Sequence, residues 1–158
     1  MRKENFDPHI PESKEESIAA IEYILNETEN NKGEIKRRIL SRATERQIKD
    51  LKVDCIIIDE TWVHSIETSA VLHAKRRHAN TRSERNKGQI GITNEDFKLI
   101  PDILDNYDRI TKSNTASRST RNDVIKYEKK YEDGTIYYIE EKRDGRRSLA
   151  FQTLYKKI

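Results

Sequence analysis

"DVIKYEKKYEDGTIYYIEEKRDGRRSLAFQTLYKKI", residues 123–158, holds three runs of alternating apolar and polar residues separated by two Asp-Gly dipeptides. A period of two is the signature of a strand with one buried face, and Asp-Gly favours the tight turn of a hairpin. The stretch predicts a three-stranded antiparallel meander over about Val124–Tyr131, Thr135–Lys142 and Arg147–Tyr155. Two-residue turns at Asp133-Gly134 and Asp144-Gly145 set Tyr127 opposite Glu140, Glu140 opposite Leu149, Tyr138 opposite Phe151, Ile136 opposite Thr153 and Lys142 opposite Arg147. One face then carries Ile125, Tyr127, Ile136, Tyr138, Leu149 and Phe151, with Glu140, Lys142, Arg147 and Thr153 embedded among them.

Upstream of the meander, "KVDCIIIDETWVHS" reads as a short buried strand over Val53–Ile58, with Cys55 a buried thiol inside it. A helix follows over about Ile66–Arg77, with Ile66, Ala70, His73, Ala74 and Arg77 on one side. His78 points away from His73 on a continuous helix. Thr93 with Asp96 has capping-box spacing, and Phe97, Ile100 and Leu104 follow at helical intervals with Pro101 restarting the helix. The polar stretch "KSNTASRSTRN" reads as a loop. Before residue 52, Ser13 and Glu16 form another capping box ahead of Ile18, Ile21 and Leu25. A second helix is expected near Glu34, with Ile35, Ile39 and Ala43 on its stripe.

The 158 residues are 34% hydrophobic and 37% charged, with a formal net charge of +3. One modest core fits that composition. The basic residues concentrate from His73 to Gln89: Lys75, Arg76, Arg77, Arg82, Arg85 and Lys87 against Glu84 alone. A single cysteine excludes an intrachain disulfide and a thiolate metal cluster. His9, His64, His73 and His78 lack paired-ligand spacing, and there is no phosphate-cradling glycine loop, so no metal or cofactor is expected. His64, just ahead of the helix, reads as a contact at its N-terminus. The start of the chain has no apolar signal region, and no apolar run approaches the ~20 residues of a membrane span, so a cytoplasmic location is expected.

A carboxylate, two cations and a hydroxyl on an aromatic face fit metal-independent RNA cleavage. That reaction needs a base for the ribose 2′-OH, an acid for the leaving 5′ oxygen, and cations where charge grows on phosphate. Glu140 is the candidate base. A histidine, His73 ahead of His78, is the candidate acid. Arg77, Lys142, Arg147 and Thr153 would surround the phosphate, Lys75 would add charge, and Tyr138 would stack a base. The same charges could instead pair at the exposed margin of the sheet.

The ordered stretches "LHAKRRH", "GQIGITNEDFKLIPDILDNYD", "YEDGTIYYIEEKRDG" and "RRSLAFQTLYKK" resemble the phage-associated branch of the barnase–EndoU–colicin–RelE-like nucleases over about two-thirds of the chain. The resemblance implies a nuclease domain over residues 52–158, preceded by a helical extension over 1–51. It places Glu140, Thr153 and the His73/His78 pair at functional positions, with Lys142 and Arg147 as helpers. The fold class expected is α+β, with N-terminal helices packed on a mainly antiparallel sheet of about four strands. The activity expected is that of an endoribonuclease toxin or phage effector acting on RNA, with tRNA one candidate. An acidic immunity protein is its expected inhibitor. The alternatives are a non-catalytic, phage-derived RNA-binding protein and an adaptor built on the N-terminal helices.

Overall fold

The computed structural model describes residues 4–30, 33–78, 88–113 and 120–158. In chain order its elements are β1 (Glu4–Asp7), α1 (Lys14–Asn30), β2 (Ile35–Arg42), α2 (Glu45–Val53), β3 (Val63–Glu67), α3 (Thr68–His78), β4 (Gln89–Ile90), α4 (Asn94–Phe97), α5 (Ile100–Asn106), β5 (Arg109–Lys112), β6 (Val124–Tyr131), β7 (Gly134–Arg143) and β8 (Ser148–Lys157). Among the described residues eight strands form one mixed sheet in the order β1-β2-β3-β8-β7-β6-β5, with β4 paired to the far end of β8. The class is α+β as expected, but the sheet is twice the size anticipated.

The C-terminal meander is present, with a different register. The first turn is Glu132-Asp133, because Tyr131 pairs with Gly134. Tyr127 therefore faces Tyr138, and Ile125 faces Glu140. A shift of two residues preserves the faces, so Ile125, Tyr127, Ile136, Tyr138 and Glu140 remain on one side. The second connection spans four residues: a 3-10 turn over Asp144–Arg146, then Arg147 in the left-handed region at φ 49°. Along β8 the register slips between Thr153, opposite Ile139, and Phe151, opposite Glu140, which leaves Gln152 as the extra residue of a bulge. Leu149 and Phe151 point into the core before the bulge, Leu154 and Lys156 after it. Thr153, Tyr155 and Lys157 consequently turn to the opposite face.

The helical extension expected over residues 1–51 does not stand apart. Residues 35–42 form an interior strand, parallel to β1 and antiparallel to β3. Ile21, Ile24, Leu25, Leu40 and Leu51 share one core cluster with Ile125, Tyr127 and Phe151. Val53–Ile58 is not a strand: Val53 ends α2, and the following residues are a connection with Ile56 and Ile58 buried, Val53 and Ile57 exposed. Cys55 is exposed, at φ 62°. The strand lies later, over Val63–Glu67, and runs parallel to β8.

Local signals elsewhere hold. Ser13 Oγ accepts from the Glu16 amide at 3.1 Å, and the Thr93 amide donates to Asp96 Oδ2 at 2.8 Å. Phe97, Ile100 and Leu104 are buried, with Pro101 in the first turn of α5. Buried Lys156 ties these parts to β8, its Nζ 2.9 Å from Asp96 and 3.0 Å from Asp133. Burial alone would lower its pKa, but the two carboxylates prevail and hold it above the usual lysine range. The helices cover the face that carries Tyr127, Tyr138 and Phe151. Apart from the end of α3, where the His78 ring lies 5.5 Å from that of Tyr155, no helix among the described residues meets the other.

Gly134, at φ +150°, closes the first hairpin where an added Cβ would lie 2.6 Å from the Lys157 carbonyl oxygen. Gly134→Ala is expected to destabilise the fold by about 1–3 kcal/mol in urea denaturation. An unchanged midpoint would contradict this register.

Candidate active site

Glu140 lies at the centre of a sealed polar cluster, not in a cleft. It and His64 are 0% exposed. Glu140 Oε1 accepts from the Tyr127 hydroxyl at 2.6 Å, and Oε2 accepts from the Tyr138 hydroxyl at 3.1 Å. Oε2 also lies 2.6 Å from His64 Nδ1. On the other side of the imidazole, Nε2 is 2.8 Å from Gln47 Oε1. The Gln47 amide has a defined orientation, since its oxygen accepts from the Thr44 amide and its nitrogen donates to the Leu104 carbonyl. His64 Nε2 must therefore carry a hydrogen, and a single proton is held between Nδ1 and Glu140. Burial first, then the Glu140 charge and hydrogen bond, push the Tyr127 and Tyr138 phenols well above their ordinary range, so both remain neutral donors.

This cluster revises several expectations. Glu140 is closed off by the groups that satisfy it, so a ribose hydroxyl does not reach it in this conformation. Tyr138 is equally buried and offers no face to a base. His64 is a core residue of β3. Lys142 lies on the helix side, its Nζ 5.4 Å from the Trp62 ring centroid and 3.2 Å from Asp144. Arg147 occupies the exposed turn, donating to Thr61 Oγ1 at 3.3 Å. The strand before α3 runs to Glu67, so a helical phase counted from Ile66 does not apply. The buried stripe is Thr68, Val71, Ala74 and His78. His73, Arg76 and Arg77 face solvent. Lys75 Nζ lies 3.3 Å from Glu29 of α1. Arg82, Glu84, Arg85 and Lys87, and most of the expected loop at 112–122, lie outside the described residues.

The helix-free face gathers a different set. Ser65 and Ser148, on neighbouring strands, have their hydroxyls 2.6 Å apart. Arg143 Nη2 lies 3.9 Å from Glu67, and its Nε lies 3.5 Å from Glu141. Thr120 and Asn122 donate to the same Glu141 oxygen, at 3.1 and 3.0 Å. Arg37, the register partner of Glu67, lies over the Phe6 ring at 4.1 Å. Phe6, Arg37, Val63, Ser65, Arg146 and Ser148 line a cavity of about 280 Å³ here. Strand β3 pairs with β8 up to Ser65 and Ala150. By that register Glu67 comes level with the bulge beside Thr153, whose Oγ1 is buried without a hydrogen-bond partner among the described residues. Thr153 is thus the one expected β-strand site residue that belongs to this face. Glu67, Arg37 and Arg143, which join it there, were not among the expected residues. Their signal was the polar half of each alternating strand, which is visible only once β2, β3 and β8 are known to be neighbours.

Among the described residues no group of three or more His, Cys, Asp or Glu side chains is placed to hold a metal ion, and no helix is long and apolar enough to cross a membrane. A family model described as phage-Barnase-EndoU-ColicinE5/D-RelE like nuclease3 matches residues 37–158. No curated protein and no solved structure matches.

Removing the Glu140 carboxylate leaves a buried imidazole and two buried phenols without their acceptor. Glu140→Ala is expected to cost about 3–5 kcal/mol of folding stability. Full stability with abolished activity would return Glu140 to the role of an accessible base.

Proposed function

Because the chain belongs to the phage-associated barnase–EndoU–colicin E5/D–RelE-like nucleases, we propose that it is a metal-independent endoribonuclease whose substrate lies on the helix-free face of the sheet. The observation that carries this reading is the grouping of two carboxylates, two guanidiniums and several hydroxyls on that face. Glu67 is half-buried beside Arg143, with Arg37 as its cross-strand neighbour. These cations lie where negative charge would grow on a phosphodiester.

In the proposed step Glu67 takes the proton of the ribose 2′-OH as that oxygen bonds to phosphorus. The bond from phosphorus to the 5′ oxygen breaks, and the departing oxygen receives a proton from a histidine. The products are a 2′,3′-cyclic phosphate and a 5′-hydroxyl. Helix α3 starts directly after Glu67 and carries both histidines. His73 is six residues on and His78 eleven, about 9 and 16 Å along a helix axis. The shorter distance suits a group acting across one phosphodiester, and His73 is the exposed one, with Arg77 one turn beyond it. The Thr153 hydroxyl is assigned to the phosphate. Arg76 and Arg77 are assigned to neighbouring backbone phosphates.

Incubating the purified protein with total RNA in EDTA tests the reading. Fragments ending in cyclic phosphate are expected, with Glu67→Gln and His73→Ala each slowing cleavage by about 10²–10⁴-fold. Cleavage that both variants retain would refute these roles. RNA bound with a steep salt slope but left intact by the wild type would identify a non-catalytic RNA-binding protein instead.

A further inference from the structure

The helix-free face also carries an aromatic row that the cleavage step does not use. Tyr137 of β7 and Tyr155 of β8 are register partners. Their rings stack with centroids 5.0 Å apart and planes inclined by 11°. The His78 ring continues the row, 5.5 Å from Tyr155. Lysines flank it: Lys157 Nζ is 5.6 Å from the Tyr137 centroid and 5.8 Å from that of Tyr155, and Lys126 Nζ is 5.7 Å from Tyr137. Glu128 pairs with Lys126 at 3.7 Å.

The row exists because of the bulge at Gln152. Without the extra residue, strict alternation from Leu149 and Phe151 would send Thr153, Tyr155 and Lys157 into the core. With it, Tyr155 and Lys157 come out beside Tyr137. Cross-strand packing alone accounts for two adjacent rings. It does not account for cations on either side of rings that remain half-exposed on the face away from the helices. Every nucleobase has a π-face that stacks on such rings, and phosphates between bases seek such cations. In a duplex those π-faces are already stacked on neighbouring base pairs, so only an unpaired strand presents them.

We infer that Tyr137 and Tyr155, with His78 at one end and Lys126 and Lys157 alongside, form a stacking site for the bases of an unpaired nucleic-acid strand. The inference rests on the helix-free face being the nucleic-acid face, and it makes the substrate a single-stranded segment. It does not depend on cleavage.

The probe is a short, 5′-fluorescein-labelled 2′-O-methyl RNA of mixed sequence, read by fluorescence anisotropy with the whole protein. It has no 2′-OH, so it reports binding whether or not the protein cuts RNA. The single strand is expected to bind at least about tenfold more tightly than the same strand annealed to its complement. Tyr137→Ala and Tyr155→Ala are each expected to weaken it by about tenfold, and the corresponding phenylalanine variants to bind like wild type. The salt slope should fall for Lys157→Ala and stay unchanged for the tyrosine variants. Tyr155→Leu, which keeps an apolar side chain in place, should lose binding while remaining folded by circular dichroism. Wild-type affinity in the folded alanine or leucine variants, or equal affinity for single strand and duplex, would overturn the inference. Tyrosine-dependent binding together with intact RNA in the EDTA experiment would uphold the platform while removing the proposed cleavage.

Discussion

The proton held between His64 and Glu140 is the constraint around which the rest is arranged. Neither residue reaches solvent, and neither is tolerable there without the other. Their partners come from across the chain: Gln47 from α2, Tyr127 from β6 and Tyr138 from β7. Gln47 is itself held by the Thr44 capping box and the Leu104 carbonyl. One cluster thereby fixes the position of α2 and α5 against β3, β6 and β7. Through Gln47 it joins α2 to the sheet. It also places the most prominent carboxylate of the meander in the core.

The bulge at Gln152 is the second constraint, and it divides β8 between two tasks. Ahead of it the strand supplies Leu149 and Phe151 to the core. Beyond it Leu154 and Lys156 take over that role, while Thr153, Tyr155 and Lys157 turn outward. Glu67 ends β3 where Thr153 emerges, and α3 begins at the next residue. The helix-free face is therefore assembled from strands that are distant in sequence: β2, β3, β7 and β8. The grouping of its side chains depends on that adjacency and not on any contiguous motif.

Much of the meander was legible because its alternation is regular and its turns are marked by glycine. The position of the first turn was off by one residue at each strand end, which shifts partners by two and leaves faces unchanged. The bulge was not legible, since nothing in "AFQTLY" distinguishes an extra residue from a continuous strand. That single residue moved Thr153 and Tyr155 across the sheet. Strand β2 was read as a helix because Ile35, Ile39 and Ala43 are spaced by four, an interval that satisfies a helical stripe and a strand face alike. Its pairing with β1 and β3 decided the matter, and pairing is a long-range property. The family resemblance was sound in its ordered segments, but it transferred no geometry. The most conspicuous acid and the most conspicuous tyrosine of the last strands both belong to the core.

The central claim is that nucleic acid lies on the helix-free face while the His64–Glu140 cluster stays closed. Amide and imidazole chemical shifts followed by NMR during titration with a noncleavable oligonucleotide test it most directly. Perturbations are predicted to concentrate at Glu67, Arg143, Thr153, Tyr137 and Tyr155, with the His64 ring signals unmoved. Shifts centred on His64, Glu140 and the helix-covered residues, with the opposite face silent, would contradict the account.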